Sequence, residues 1–288
     1  MANKLTGHDY FGYGSLSKAD FERLSSFIYN NFGIYLPPKK QYLLQTRLLK
    51  RLRALGLSSY AEYTEYVLKT GLNSDEALEM IDVVSTNKTD FFRDKAHFDF
   101  VTENIDLQWK TSLIKVWSAG CSTGQEVYSL AMILQVAKNQ GKIADFDACG
   151  SDVSAGVIEK ASKAVYPYRE VVNIPEAYRK KFLLRSKQSE KPQIRIVPEL
   201  RSKVRFLRLN LMANFYPVAM NFQLIFCRNT LIYFDRETQR KVVKHLCQHL
   251  TPGGYFFIGF SESLLDMDIH AMGLQLIKPT IYQKTLSS

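Results

Sequence analysis

The chain has 288 residues, 46% of them hydrophobic, and its 38 lysines and arginines exceed its 28 aspartates and glutamates to give a net charge of +10. Such a length suits two modest domains or one large one with a real core in a soluble globular protein. No apolar run approaches the roughly 20 residues of a membrane span, and the N-terminus lacks the basic-then-hydrophobic pattern of a signal peptide. Cys121, Cys149, Cys227 and Cys247 show no C-x-x-C spacing. They read as free thiols in a reducing compartment, so a cytoplasmic location is expected. The positive excess points to an acidic partner, whether nucleic acid, a membrane surface or an acidic protein.

Residues 1–16 are polar and glycine-rich and read as a flexible lead. Ser17 is placed to cap a helix carrying Phe21, Leu24, Phe27 and Ile28 at helical spacing, with Gly33 as its stop. After Pro37-Pro38 a second helix is expected over KKQYLLQTRLLKRLRALGL. Between Glu22 and Glu62 there is no acidic residue. At about 100° per residue, Leu44, Leu48, Leu52 and Leu55 share one arc of this helix, and Lys40, Arg47, Lys50, Arg51 and Arg53 share the other. A solvated face normally mixes signs, whereas one uncompensated sign repels itself. The basic face is therefore read as a docking surface for something acidic, against the alternative of a plain solvated face. Two further helices follow, separated at Gly71-Leu72-Asn73, with Ser74 capping the second. Residues 17–85 thus form a helical N-terminal domain.

Residues 86–98, within TNKTDFFRDKAHFDFV, read as a linker helix that brings Asn87, Thr89 and Arg93 together around Phe91-Phe92. Polar and aromatic groups so dense at a domain junction suit a ligand site, the alternative being a capped linker. An α/β domain over 99–288 follows. Its centre is LIKVWSAGCSTGQE: a buried strand, a small-residue turn at Ser118-Ala119-Gly120, and a helix start. Thr123 and Glu126 have the spacing of a capping box. The next strand delivers Asp152 at its carboxyl end, where an acid can accept hydrogen bonds from two ribose hydroxyls. The loop is Gly120-x-x-x-Gly124 rather than G-x-G-x-x-G. It offers fewer closely approaching amides than a pyrophosphate needs, so a nucleoside without phosphates, such as S-adenosylmethionine, suits it better. An ordinary βαβ unit without ligand is the alternative.

Further along, QIRIV and KVRFLRLN read as a small antiparallel β-subdomain inserted at about 185–209, with Asn210 at its end. FQLIFCRN is a buried strand ending at Arg228-Asn229; a helix, a strand over YFFIGF and a closing hairpin follow. His245 and His249 have a spacing metals use, but no third ligand is in view and no metal is expected.

Several stretches together resemble one family, the bacterial chemotaxis receptor methyltransferases (CheR). They are TNKTDFFRD (86–94), VWSAGCSTGQEVYSLA (116–131), GSDVS (150–154), NLM (210–212), FCRNTLIYF (226–234) and GFSES (259–263), with FGIYL (32–36) and RLLKRLRALGL (47–57) in support. The likeness runs from about residue 17 to the end. It implies a Rossmann-like class I S-adenosylmethionine-dependent methyltransferase domain with an inserted antiparallel β-subdomain, preceded by an all-α domain. It implies S-adenosylmethionine as cofactor, held at Asn87, Thr89, Arg93, Glu126, Asp152, Asn210, Leu211, Arg228 and Asn229, and it implies catalytic roles for Arg93 and Tyr233. Glu126 keeps two possible roles, cofactor contact or cap. The chain departs from the family at Gln125-Glu126-Val127, commonly Glu-Glu-Pro, and at Gly259-Phe260-Ser261-Glu262, often G-H-S-E. The implied reaction turns glutamate carboxylates on the cytoplasmic helices of chemoreceptors into methyl esters and leaves S-adenosylhomocysteine.

A glutamate with a pKa of about 4.3 is already ionised at neutral pH, so neither a general base nor a metal is required. Lys40, Arg47, Lys50, Arg51 and Arg53 then become the expected docking surface for acidic receptor helices, and the β-subdomain the expected site for a receptor C-terminal peptide. A monomer is expected, with no nucleic acid and no membrane insertion. Two rivals stay open. A nucleic-acid methyltransferase would bind with a steep salt dependence, but the basic face lacks interleaved aromatics for stacking. A non-catalytic S-adenosylmethionine sensor or scaffold would bind cofactor and transfer nothing.

Overall fold

The computed structural model describes residues 12–72, 74–108, 112–187, 190–218 and 221–286. Residues 1–11 of the expected lead, Asn73, and residues 188–189 of the expected subdomain lie outside them. The chain divides into two compact units. One runs to Thr86 and includes Tyr233–Asp235; the other holds Asn87–Ile232 and Arg236–Ser288.

The first unit is built on four α-helices among the described residues: α1 (Lys18–Phe32), α2 (Gln41–Leu55), α3 (Tyr60–Thr70) and α4 (Asp75–Val84). Ser17, Ser59 and Ser74 accept from the backbone N–H of Asp20, Glu62 and Ala77, each satisfying a first-turn donor left without a helical partner. Phe21, Leu24 and Ile28 of α1 and Leu44, Leu48 and Leu52 of α2 are all buried in this unit. Burying such side chains contributes roughly 1.5–3 kcal/mol apiece. The lead ends earlier than its polarity suggests. Leu16 is buried, and its N–H and carbonyl are held by Gln45 and Gln41.

The basic face of α2 is partly consumed within this unit. Arg51 forms a two-point ion pair with Glu76 and reaches Glu79 at 2.8 Å, with its side chain only 12% exposed. Tyr63 donates to the same Glu76 carboxylate at 2.8 Å. Arg47 donates to the Val84 carbonyl and, at 2.7 Å, to Thr86. The docking expectation for Arg47 and Arg51 is corrected accordingly: their donors are taken up within the unit, Arg51 by the acids Glu76 and Glu79 of α4 and Arg47 by the Val84 carbonyl and the Thr86 hydroxyl at and beyond its end. Lys50 and Arg53 are exposed, and Lys40 is half-buried.

In the second unit, residues 87–94 are irregular and the helix α5 spans Lys95–Gln108. This corrects the linker helix expected over 86–98. The backbone adopts left-handed φ at Phe92 (52°) and Asp94 (58°), which no helix tolerates. The strands β1 (Leu113–Ala119), β2 (Asp145–Asp152), β6 (Val204–Arg208), β7 (Phe222–Cys227) and β8 (Leu250–Ile258) pair in parallel in the order β6-β2-β1-β7-β8. The closing hairpin β10 (Ile281–Lys284) and β9 (Leu274–Lys278) adds antiparallel strands at one edge, completing seven strands. β1 is central and buried almost along its length, which is why it reads as a continuous apolar run. Helix α6 (Gln125–Asn139) follows β1 and is buried over most of its surface.

The inserted subdomain is present and keeps QIRI as its middle strand, but pairs it with residues before 186 rather than with KVRFLRLN. Its three-stranded antiparallel sheet has the order β3-β5-β4, from Val165–Pro167, Gln193–Ile196 and Leu183–Arg185. The expected bounds of about 185–209 are therefore corrected at both ends. Residues 204–208 pair in parallel with β2, Ala148 opposite Val204 and Asp152 opposite Arg208. A parallel neighbour needs a crossover of a dozen or more residues, and the subdomain is lodged inside that crossover. Among the described residues no helix is long and apolar enough to cross a membrane.

Candidate cofactor site

The site is assembled where β1, β2 and β7 end. Ser151, at the end of β2, accepts through its carbonyl from the N–H groups of both Gly120 and Cys121, at 2.8 and 2.9 Å. This folds the 120–124 turn over the strand ends. Gly120 has φ +84°, and a Cβ there would lie 2.1 Å from the Thr230 hydroxyl, so only glycine lets the two turns approach. Ser122 also takes a left-handed φ of 49°. Its N–H donates to Asp152 Oδ2 at 2.9 Å, and its hydroxyl donates to the Asn87 carbonyl at 2.8 Å.

Asp152 is held from two sides. Oδ2 accepts from Ser122 and Oδ1 accepts from the Ser154 N–H at 3.1 Å. Its own carbonyl accepts from Leu209 at 2.8 Å, which brings Asn210 alongside. Asn210 Oδ1 accepts from Met212, and the Leu211 carbonyl accepts from the buried Tyr216 hydroxyl at 2.7 Å.

Glu126 is not a cap. Gly124 occupies the N-cap position of α6 without a side-chain cap, and Thr123 donates instead to Gln125. The Glu126 carboxylate accepts from Ser118 at 2.7 Å and from Arg228 Nη1 at 3.1 Å. The capping box fails because a pair of donors across the strand ends, one of them charged, binds the carboxylate more strongly than one local N–H. Arg228, 1% exposed at its side chain, also donates through Nη2 to the Arg93 carbonyl and to Asp94 Oδ2, at 2.7 and 2.6 Å. Two carboxylates and one carbonyl thus neutralise the buried guanidinium and tie 93–94, α6 and β7 together. Arg93 directs its own guanidinium to the Lys88 carbonyl at 3.2 Å. Gln125 adds a bond of 3.0 Å to Glu170 in the inserted segment, a pairing that the family's commoner glutamate would turn into carboxylate against carboxylate.

The fold thus gathers Asn87, Arg93, Glu126, Asp152, Asn210, Leu211, Arg228 and Asn229 in one unit, and Thr89 lies on the same irregular segment. Tyr233 falls in the other unit, where its hydroxyl donates to the Thr86 carbonyl at 3.2 Å and its own carbonyl accepts from Tyr35. Sequence reading passed over Asp94 and Ser122. An acid beside Arg93 and a serine between two turn glycines were the available signals. His249 lies beyond helix α10 (Arg236–Gln248), and the His245 and His249 rings stack on Tyr216. Among the described residues no cluster of three metal-ligating side chains occurs.

These residues fit a nucleoside cofactor. Asp152 is fixed in orientation beside the 120–124 turn, Gly120 keeps that turn free of a side chain, and the buried Arg228 Nε has no partner among the described residues. A parallel sheet with a small-residue turn after β1 and a fixed acid after β2 defines a Rossmann-like class I S-adenosylmethionine-dependent methyltransferase domain. The family described as "CheR methyltransferase, SAM binding domain" matches residues 87–276, and "CheR methyltransferase, all-alpha domain" matches residues 19–85. The chain belongs to the CheR methyltransferase family. It is 35% identical to the chemotaxis protein methyltransferase of Borreliella burgdorferi, over 94% of this chain and 95% of that one. It is 34% identical to that of Escherichia coli, over 88% and 87% of the two chains. With chemotaxis protein methyltransferase 2 of Pseudomonas aeruginosa it shares 33% identity, over 96% and 95%.

Proposed function

We propose that this protein transfers a methyl group to glutamate side chains on the cytoplasmic helices of chemoreceptors. The observation that carries the reading is the doubly held Asp152 facing the Gly120 turn, in a chain matched along nearly its whole length by chemotaxis methyltransferases. S-adenosylmethionine, when bound, supplies an activated methyl that passes to a carboxylate oxygen, giving a methyl ester and S-adenosylhomocysteine. Asp152 would hold the ribose hydroxyls. Asn87, Thr89, Arg93, Glu126, Asn210, Leu211, Arg228 and Asn229 would complete the cofactor's surroundings, with Glu126 and Arg228 acting as one neutralised unit.

The protein's task is positioning rather than proton chemistry, because the acceptor is ionised before it arrives. Arg93 orients the cofactor's carboxylate or the acceptor without binding either so tightly that the ground state is favoured. Tyr233 hydrogen-bonds the acceptor or excludes water. Lys40, Lys50 and Arg53 supply the docking charge of the helical unit, which gives orientation and on-rate more than affinity. The protein works as a cytoplasmic monomer; its four cysteines, all buried free thiols, suit a reducing compartment.

A second contact, with a receptor C-terminal peptide, is favoured by the outer face of the inserted sheet. There Arg195 lies between Val165 and Leu184, all three exposed. The test is transfer of labelled methyl to receptor-containing membranes, followed by mild alkali. Volatile label is the expected result, since carboxyl methyl esters hydrolyse. Label resistant to alkali would move the substrate to amines or nucleic acid, and cofactor binding without transfer would favour a sensor.

A further inference from the structure

The GFSES segment holds an acid for which the cofactor contacts above have no use. Glu262 is 8% exposed, yet among the described residues its carboxylate accepts only from backbone N–H groups: Gly259 at 2.6 Å, Asn229 at 3.0 Å and Ile232 at 3.2 Å, with Leu231 adding a further backbone bond. Its own N–H returns to the Gly259 carbonyl at 2.9 Å. Every partner of the carboxylate is a donor, so a protonated acid or an amide would set hydrogen against hydrogen. The anion therefore sits in a nest of main-chain donors that joins the end of β8 to the turn after β7.

That turn is under two constraints. Asn229 takes φ +56°, a conformation a non-glycine residue adopts only when its surroundings impose it. Gly259 has no room for a side chain: a Cβ would lie 2.7 Å from Asn229 Nδ2 and 2.9 Å from its backbone N. The same turn carries Arg228, bound to Glu126 and Asp94, and Thr230, lying against Gly120. One carboxylate thus sets the backbone of 229–232, and that backbone aims the Asn229 side chain and closes the β7 turn onto the Gly120 turn.

We infer that Glu262 is a positioning residue for the cofactor site, holding the 228–232 turn in its binding conformation without touching the cofactor. The inference rests on reading this site as one for S-adenosylmethionine. Its test is Glu262→Gln, which keeps the shape and replaces one acceptor oxygen by a donor. The dissociation constant for S-adenosylhomocysteine, measured by calorimetry, should rise about tenfold to a hundredfold, since buried donors lose a charged partner. KM for S-adenosylmethionine should rise by the same factor, with kcat changed far less. In proton–nitrogen correlation spectra the Gly259 and Asn229 amide signals should move upfield as their charged acceptor is lost. Val243→Ala, on the buried face of α10, serves as a comparison for general destabilisation and should lower the melting temperature while leaving affinity unchanged.

Affinity within twofold of the unaltered protein, or a loss no greater than that of Val243→Ala, would overturn the inference. If Glu262→Gln does not fold, amide hydrogen exchange in the unaltered protein decides: protection of Asn229, Ile232 and Gly259 before ligand is added supports a preformed turn, and rapid exchange refutes it. Failure of the unaltered protein to bind S-adenosylhomocysteine would remove the reading of the site and the role of Glu262 with it.

Discussion

Two stretches of this chain are rich in lysine and arginine, and the fold uses them in opposite ways. Residues up to 86 carry ten lysines and arginines against nine aspartates and glutamates; residues 160–208 carry fourteen against four, an excess equal to the net charge of the whole chain. In the helical unit the acid-free run that stands out in sequence meets its acids in space, as Glu76 and Glu79 close on Arg51. In the inserted segment most charges stay at the surface. Lys163 with Glu159 and Lys180 with Glu176 join exposed partners that contribute little to stability, while Lys203 binds the half-buried Asp145 of the main sheet. A run of one sign along a chain is thus no measure of uncompensated charge until the distant carboxylates are placed.

The sharpest way to break this contrast is Arg51→Ala. Glu76, 4% exposed, would be left buried beside Tyr63 without its cation, at a cost of about 3–5 kcal/mol in urea unfolding. A variant of undiminished stability that only loses receptor turnover would restore Arg51 to the docking surface.

A second test moves the contrast from place to pH. His97 is buried against Phe260, with Thr280 at 2.8 Å and Arg228 and Asp94 nearby, and burial lowers its pKa from 6.5 to about 4. The folded state keeps this imidazole neutral while the unfolded chain protonates it. Its contribution is therefore complete above about pH 6.5 and is lost as pH falls towards 4, by roughly 3 kcal/mol in all. Urea midpoints should fall over that window, and His97→Gln should flatten the fall.

Smaller effects are expected at the solvated charges. Arg195→Glu together with Lys187→Glu should raise KM for receptor several-fold at low salt and little at high salt, with melting unchanged. Smallest is Lys40→Glu with Lys50→Glu, which should shift stability by no more than about 0.5 kcal/mol and raise receptor KM two- to threefold. Initial rates on receptor membranes at two ionic strengths check both. A larger effect from the second pair than from the first would reverse the ranking of the two basic regions.

Much of the architecture could be read along the chain, because its determinants are local. Serine caps, the leucine arc of α2, the apolar run of β1 and the acid closing β2 declare themselves within a few residues. Periodicity and capping depend on neighbours one turn or one strand away. Of the candidate cofactor residues, Asp152 stood out in the same way, as the acid closing a strand, and Asn87, Thr89 and Arg93 by their density around an aromatic pair, whereas Glu126, Asn210, Leu211, Arg228 and Asn229 were marked only by the family resemblance.

The features that escaped all depend on partners far away in sequence. Nothing in KVRFLRLN states that it lies parallel to β2 rather than opposite QIRIV, because alternation fixes a strand's faces and not its neighbour. Nothing in T-x-x-E states that Glu126 prefers Ser118 and a guanidinium 102 residues later to its own helix end. The inward turn of Arg47 and Arg51, the left-handed backbone at Phe92 and Asn229, and the anchoring of 229–232 by Glu262 belong to the same class. Local chemistry proposes the elements, while the pairing of buried charge and backbone donors across the folded chain settles how they are joined.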